Sequence, residues 1–219
     1  MNEVENKEYN HIKIHTQYSI CEGALRTADL AKYCKENKIK AVGLSDSNNL
    51  CGALEFSETL AKSKTQPIIG TQINIKYKNY SGKIPLIAKN LEGYKNLIKL
   101  SSKSFLDIKE DEEPHCKFDD LINNYKGLIL LTGCLDGFFG KLFSKNLTDE
   151  FFKLLKLLKA TYKDNLYIEI QRHDDVGERL FEKYLQNISE IIELPLIATQ
   201  EVFYLDKEMH EAHDAYLCI

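Results

Sequence analysis

The alternation of short apolar runs with amphipathic segments constrains the fold of this chain more than any other feature. Seven runs have the length and residue types of β-strands, and most segments between them carry apolar residues at helical spacing. This alternation predicts an α/β domain with mostly parallel strands. The seven runs lie at 11–15, 41–44, 67–76, 84–88, 127–132, 166–170 and 196–199.

Most connections between the runs have the length of a helix, and two segments depart from this rule. The turn at 79–82 leaves no room for a helix, which predicts a hairpin or a looser connection between the third and fourth runs. The segment 107–115 is acidic and lacks periodicity, which predicts a solvated loop. Helices are expected after the sixth run and from near Thr27, Leu50, Leu91, Thr148 and Lys207.

The spacing of apolar residues predicts which helix faces are buried. The helix near Leu50 is expected to bury Leu54, and the helix after the sixth run is expected to bury Leu180 and Ile191. The helix from Thr148 has a regular stripe that is typical of core packing: Phe151, Leu154, Leu155, Leu158 and Tyr162.

Seven mostly parallel strands in a chain of 219 residues are arranged most economically as a closed or nearly closed β/α barrel. We therefore expect a distorted seven-stranded barrel, and an open doubly wound sheet is the alternative. In a barrel, the residues that follow each strand line a common pocket.

Composition limits the classes of function that such a domain can have. A hydrophobic content of 43% indicates a globular protein, and a formal net charge of -4 restricts any DNA contact to a local or indirect one. No stretch approaches the roughly 20 apolar residues of a membrane span. The six cysteines form no CxxC motif and are expected to be reduced thiols, so a cytoplasmic location and no membrane contact are expected.

Polar residues follow most of the predicted strands, where a barrel pocket would lie. Imidazole, thiolate and carboxylate groups from separate strands are the ligand types that hold zinc or manganese. The candidate ligands that the strand ends supply are His15, Glu22, Asp46, Cys134 and Glu201.

Several motifs in order resemble the polymerase-and-histidinol-phosphatase (PHP) domain, in the version found at the N-terminus of the bacterial replicative DNA polymerase III alpha subunit. The similarity extends from about Tyr9 to Ile219, and it implies a distorted seven-stranded β/α barrel. The motifs are HIKIHTQYSICEGAL, LSDSNNLCGALEF, PIIGTQI, GYKNL, GLILLTGCLDG, YIEIQRH, PLIATQEVFY and HEAHDAYLCI.

The resemblance implies which positions once held metal, because metal-binding members of the family hydrolyse phosphate esters with ions at the strand ends. The chain retains possible ligands at His15, Glu22, Cys134 and Glu201, and it keeps Asp46 and His173 of neighbouring motifs. At other family positions this chain has a different residue. Lys13 replaces the first His of His-x-His, Ser47 replaces the His expected after Asp46, and Gln72 replaces the motif Glu. A further family His aligns near Lys83, and Phe203 replaces the final His.

These replacements predict a degenerate site, since a lysine ammonium has no lone pair for a metal and a phenyl ring has no donor atom. We hypothesise that Lys13, together with Lys83, replaces the lost metal charge by pairing with Glu22, Asp46 or Glu201. No catalytic residue and no cofactor are then expected, and zinc or manganese is expected only if the residual site is occupied.

The function implied by the resemblance is that of a structural domain within a DNA polymerase. Residues 1–219 are expected to form one PHP domain cut from a longer polymerase chain, which would make the whole protein a nucleotidyltransferase. Its expected partners are the remaining domains of the alpha subunit and the proofreading exonuclease subunit, with DNA contacted only indirectly. Two alternatives stay open: an active metal-dependent phosphoesterase or 3'-5' exonuclease, and a DNA-binding module.

Overall fold

A computed structural model describes residues 9–173 and 175–218 of the chain. The described residues contain eleven short strands and eight α-helices, and two turns of 3-10 helix lie at Lys163–Asn165 and Lys207–Met209. The strands are β1 (Lys13–Ile14), β2 (Ala41–Gly43), β3 (Asp46–Ser47), β4 (Gln66–Ile68), β5 (Gly70–Tyr77), β6 (Tyr80–Ala88), β7 (Cys116–Lys117), β8 (Leu128–Leu131), β9 (Leu166–Ile170), β10 (Leu196–Ala198) and β11 (Glu201–Val202). The helices are α1 (Thr27–Glu36), α2 (Ala53–Lys62), α3 (Leu91–Leu106), α4 (Phe118–Asn123), α5 (Phe138–Ser144), α6 (Thr148–Tyr162), α7 (Glu178–Ile192) and α8 (His210–Leu217).

Most strand pairs are parallel, as the sequence predicts. The largest sheet has the order β10-β9-β8-β6-β5-β3, with β7 also paired to β5. Only β6 runs antiparallel, against β5 and β8, and the tight turn between Tyr77 and Tyr80 forms the predicted hairpin. An α/β fold with mostly parallel strands is therefore confirmed.

A closed seven-stranded barrel is not confirmed, because the hydrogen-bonded sheet does not close. Two further pairs stand apart from the large sheet: β1 with β11, and β2 with β4. The strand runs are interrupted at residues 44–45, at Ile69 and at residues 199–200, so one run contributes to two sheets.

Two hydrophobic clusters fill the interior. The smaller cluster joins β1 and β2 to α1 and α2, and it includes Ile14, Cys34 and Phe56, none of them more than 2% exposed. The larger cluster lies under the remaining strands and helices and includes the predicted stripe of α6. That stripe is buried along its whole length, as its spacing predicts.

Three residues that were predicted to be buried on helix faces are exposed instead. Leu54, Leu180 and Ile191 are 69%, 66% and 67% exposed, whereas Phe56 of α2 and Ile192 of α7 are buried. A stripe of many apolar residues leaves the centre of the buried face undetermined, and packing against the sheet decides it.

The acidic segment 107–115 is a loop, as predicted, but the sequence did not indicate β7, α4 or α5. These elements have two, six and seven residues, too few to give a readable period. Within the described residues, no helix has the length and apolarity that a membrane crossing requires.

Candidate functional site

An open cleft of about 460 Å³ lies where several strands end, and we call it the strand-end pocket. Parallel strands direct their carboxyl ends to one side, which brings residues that are distant in sequence together. Its wall includes the candidate ligands Glu22, Cys134 and Glu201, together with Gln72 and Lys83.

Lys13 lies beside this pocket and is almost completely buried, with 1% of its side chain exposed. Its ammonium is 2.8 Å from Glu169 Oε1 and 2.6 Å from Glu201 Oε1. Burial alone lowers the pKa of Lys13, but Glu169 and Glu201 outweigh it and raise that pKa above its usual range. Lys13 therefore stays charged at neutral pH and bridges two carboxylates.

Glu169 is the other fully buried member of this pair, with 0% exposure. Its carboxylate also accepts hydrogen bonds from the Gly133 backbone amide at 3.1 Å and the Gln171 amide at 2.8 Å, and from the Thr199 hydroxyl. Gly133 has φ +84, a backbone conformation that favours glycine, and this turn aims its N–H at the carboxylate.

Glu169 was missed by the sequence reasoning, although a signal was present. It is the single charged residue in the otherwise apolar run Leu166–Ile170. An ionised side chain inside a buried strand needs a partner, so its presence indicates a buried cation elsewhere in the chain.

His15 is buried, and each of its nitrogens already has a polar neighbour. Nδ1 lies 3.3 Å from Ser19 Oγ, and Nε2 lies 3.0 Å from the amide nitrogen of Gln72. The same amide nitrogen donates to Glu201 Oε1 at 3.0 Å, so its two hydrogens reach both groups. The ring of Phe203 stacks on His15 with centroids 4.4 Å apart.

Glu201 faces cationic and polar groups on several sides. His15 Nε2 lies 3.5 Å from its second carboxylate oxygen, and Lys13 contacts the first. Burial raises the pKa of Glu201, but the contacts with His15 and Lys13 hold it well below its usual range. Glu201 is therefore ionised across the physiological range of pH.

Glu22 forms a second, more open ion pair with Lys83. Both side chains are about one-third exposed, and Ser47 donates to Glu22 while accepting from Lys83 at 2.8 Å. Burial raises the pKa of Glu22, but the hydrogen bonds from Lys83 and Ser47 outweigh this effect and hold the pKa below its usual value.

Asp46 lies outside the wall of the strand-end pocket. Its carboxylate accepts from the Thr16 amide at 2.7 Å, the Thr16 hydroxyl at 2.8 Å and the Ser19 hydroxyl at 2.7 Å. These three bonds fix the loop after β1 and leave Asp46 with no contact to Lys13 or Lys83 among the described residues.

Cys134 follows β8 and lies on the pocket wall. Burial raises the pKa of its thiol, although nearby Lys13 acts in the opposite direction.

The retained ligands do not converge on one point within the described residues. A different group, outside the strand-end pocket, does bring its possible ligand atoms within 4.8 Å of one another. It consists of His173, Asp175 and Glu178. There the Glu178 carboxylate accepts from the His173 amide at 2.7 Å and the Asp175 amide at 3.3 Å. These bonds hold the turn at the start of α7, so the cluster has a structural explanation.

Comparison with known proteins decides the family. The family model described as the PHP domain matches residues 11–173. The chain belongs to the PHP domain family. This confirms the resemblance drawn from the motifs.

Relatives of this PHP domain extend along the whole chain. It is 39% identical over 215 residues to the DNA polymerase III subunit alpha of Rickettsia prowazekii, covering 97% of this chain and 18% of the relative. It is 34% identical over 227 residues to the same subunit of Caulobacter vibrioides, covering 100% of this chain and 20% of the relative. The chain thus spans about a fifth of the length of these relatives.

Solved structures share the fold at low sequence identity. An amidohydrolase from Chromobacterium violaceum, solved with sulfate and no metal, has a TM-score of 0.59 and 8% identity, covering 95% of this chain and 97% of its own. A Bacteroides vulgatus protein with a predicted PHP-like metal-dependent phosphoesterase has a TM-score of 0.55 and 12% identity, covering 93% and 55%. These likenesses concern the fold alone.

Proposed function

We propose that this chain is the N-terminal PHP domain of a replicative DNA polymerase III alpha subunit, and that ion pairs replace the metal site. One observation carries the proposal: the buried ammonium of Lys13 bridges Glu169 and Glu201 at 2.8 and 2.6 Å. The first His of the family's His-x-His motif would lie at this position.

The electrostatic argument concerns carboxylates that share a buried site. Without a cation, Glu169 and Glu201 would repel each other, and one would take up a proton. A divalent cation relieves this repulsion in metal-binding members of the family. Lys13 supplies a positive charge and three N–H donors, which relieves it without an ion.

Lys83 is a second cation that neutralises a carboxylate, at the solvent-exposed side of the pocket. Lys83 binds Glu22, and Ser47 connects the two groups. Gln72 donates to His15 and Glu201, where the family's glutamate would bind a cation. We therefore expect no catalytic residue and no bound zinc or manganese at His15, Glu22, Asp46, Cys134 and Glu201.

The role that fits such a domain is structural. The similarity to DNA polymerase III alpha subunits covers nearly the whole chain, which supports residues 1–219 as one PHP domain of a longer, cytoplasmic polymerase chain. The proposed partners are the remaining alpha domains and the proofreading exonuclease subunit. Nucleotidyl transfer would belong to other domains of that chain.

We extend the proposal to the barrel. Three consecutive strand pairs can each be treated as one interrupted strand: β2 with β3, β4 with β5, and β10 with β11. The separate pairs β1–β11 and β2–β4 then join the large sheet in a single ring. The bridge between Ile14 and Leu44 supports this reading. A distorted seven-stranded barrel would then surround the strand-end pocket.

Metal analysis tests the proposal. The purified chain is equilibrated with manganese or zinc, desalted and analysed by mass spectrometry, and hydrolysis of bis-p-nitrophenyl phosphate is measured in parallel. We expect substoichiometric metal and no hydrolysis above that of the matched variant His15→Ala. Stoichiometric metal that is lost in His15→Ala would contradict the proposal.

The second candidate function is a metal-dependent phosphoesterase or 3'-5' exonuclease. The open cleft, with Glu22, Cys134 and Glu201 on its wall, is the observation that favours it. Metal-dependent hydrolysis that His15→Ala and Glu201→Gln both abolish would establish this candidate instead.

Association tests the structural role. Size-exclusion chromatography of the chain with the proofreading exonuclease subunit of the same replicase should give a joint peak. Separate elution at micromolar concentrations would remove the exonuclease from the proposed partners and leave the metal result untouched.

A further inference from the structure

A second cleft, of about 480 Å³, lies at the carboxyl ends of α1 and α2, and we call it the lysine cleft. Eight described residues line it; five of them are lysines, and none of the eight is a carboxylate or an aromatic residue. The five are Lys35, Lys38, Lys40, Lys62 and Lys64, and all are exposed. This concentration of one charge contrasts with the net charge of -4 of the whole chain.

The backbone holds the two lysine segments side by side. Strands β2 and β4 are paired in parallel from Ala41 and Gln66 onward, so the residues that precede them are neighbours. The Gln66 amide donates to the Lys40 carbonyl at 2.7 Å, and the Thr65 hydroxyl donates to the Ile39 carbonyl at 2.9 Å. The cleft is therefore part of the folded framework.

Helix electrostatics explain only part of this arrangement. Lysines in the last turn of a helix stabilise its negative end, which accounts for Lys35 and Lys62. Lys38 and Lys64 lie beyond the helix ends. In the part of the chain that the structure describes, Lys35, Lys38, Lys62 and Lys64 form no ion pair with a carboxylate, so their field is not neutralised by side chains.

We propose that the lysine cleft binds the phosphate backbone of duplex DNA. A cluster of ammonium groups attracts closely spaced phosphates and releases their counterions. The absence of aromatic lining residues indicates contact with phosphates and no stacking on bases. The choice of DNA over another polyanion rests on the proposed function. The presence of a cation-rich site rests only on the positions of the lysines.

The position of the cleft separates it from the strand-end pocket. The lysines precede β2 and β4, whereas Asn48 and Gln72 of the pocket lie beyond the other ends of these strands. Substitutions in the cleft therefore leave the ion pairs of the pocket in place. Loss of DNA binding and failure of the metal-free proposal are consequently distinguishable.

Fluorescence anisotropy of a labelled DNA duplex, measured with the 219-residue chain over a range of salt, tests the inference. If roughly four phosphates are contacted, affinity should fall about 100-fold between about 50 and 200 mM salt. The variant Lys35→Gln/Lys38→Gln/Lys62→Gln/Lys64→Gln should lose most of this salt dependence and bind at least about tenfold more weakly at low salt.

A charge-matched control separates a local site from the general charge of the protein. Lys95, Lys99, Lys109 and Lys126 are exposed elsewhere, and their replacement by Gln changes the net charge equally. We expect this control to bind DNA like the unaltered chain, with circular dichroism confirming that both variants are folded. Equal weakening in the two variants, or no measurable binding by the unaltered chain, would overturn the inference.

Two competitors distinguish the source of the negative charge. Unlabelled duplex should displace the probe, whereas inorganic phosphate and poly-glutamate at equal charge concentration should not. Displacement by inorganic phosphate would indicate a site for a small anion, and displacement by poly-glutamate a site for an acidic protein segment. Either result would overturn the assignment to DNA.

Discussion

The strand-end pocket and the lysine cleft have similar volumes, about 460 and 480 Å³, but their charged residues are arranged differently. The pocket wall combines charges of both signs, and beside it the ammonium of Lys13 is buried between Glu169 and Glu201. The cleft has charges of one sign, and its lysines are exposed to water.

The difference shows what burial demands of a charge. Removing an ammonium from water costs several kcal/mol, and only close opposite charges and hydrogen bonds offset that cost. Exposed lysines keep their hydration and tolerate one another, particularly in salt. Charges in the pocket are therefore fixed by the fold, whereas Lys35, Lys38, Lys62 and Lys64 of the cleft form no ion pair among the described residues and remain available for a ligand.

The largest effect is expected from Lys13→Met. Removing the ammonium leaves Glu169 and Glu201 buried without their cation, which should lower the free energy of unfolding by about 3–5 kcal/mol. Urea denaturation followed by circular dichroism measures the change. The matched control Lys99→Met alters an exposed lysine of α3 and should change stability by less than about 0.5 kcal/mol. Equal losses in the two variants would contradict the proposed role of Lys13.

A double-mutant cycle sharpens this prediction by isolating the buried pair. Glu169→Gln should destabilise the chain alone, but the double variant Lys13→Met/Glu169→Gln should lose less than the sum of the single variants. Residues in direct contact give coupling energies of about 0.5–3 kcal/mol. Additive losses in urea denaturation would show that Lys13 and Glu169 act independently.

Acid should destabilise the pocket before it affects the cleft. Glu201 and Glu22 have pKa values below the ordinary value of 4.5, so they stabilise the fold above that pH. This contribution is lost as pH falls below 4.5 toward their folded pKa values. Lys13 has a raised pKa, so its contribution is present below its ordinary value of 10.5 and is lost only at more alkaline pH.

Thermal unfolding measured against pH checks this order. The melting temperature should decline below pH 4.5 in the unaltered chain and less steeply in Glu201→Gln, which has no carboxylate to protonate at that position. Identical profiles in the two proteins would exclude Glu201 as a source of the acid sensitivity.

A smaller effect is expected where the pocket opens to solvent. Lys83 and Glu22 are about one-third exposed, so Lys83→Met should cost no more than about 1 kcal/mol, and added salt should reduce that cost. Urea denaturation at low and high salt provides the measurement. A loss as large as that of Lys13→Met would mean that burial does not distinguish the two pairs.

The smallest effect on stability is expected in the lysine cleft. Replacing Lys35, Lys38, Lys62 and Lys64 with Gln removes only exposed charges, and each change should stay within about 0.5 kcal/mol. Differential scanning calorimetry should show little change in melting temperature, because reduced repulsion among the lysines offsets the lost stabilisation of the helix ends. A large loss would show that these lysines support the fold.

Much of the fold was predictable because its longer elements have clear periods. The predicted limits of β9 agree with the structure, and the stripe of α6 is buried as its spacing requires. The exposed positions of Leu54, Leu180 and Ile191 could not be read from periodicity, because neighbouring apolar residues compete for the buried face. The choice depends on the sheet beneath each helix.

The sequence predicted most of the residues of the candidate site, but fewer of the contacts between them. The structure places Glu22, Cys134 and Glu201 on one pocket wall, with His15 buried beside it, and it places Asp46 off that wall, bound by Thr16 and Ser19. Whether these residues hold a metal stays a prediction. The pairing hypothesis anticipated Lys13 with Glu201 and Lys83 with Glu22, but it omitted Glu169.

The sequence by itself determined that the chain is a PHP domain of the α/β class, because ordered motifs and strand–helix alternation are local properties of the chain. Through the resemblance, it also predicts that Lys13 and Phe203 stand where metal-binding members of the family have histidines. Only the tertiary structure decided that Lys13 meets Glu169 across 156 positions of sequence. Electrostatic energy depends on distance and burial, and neither quantity exists until the strands are assembled.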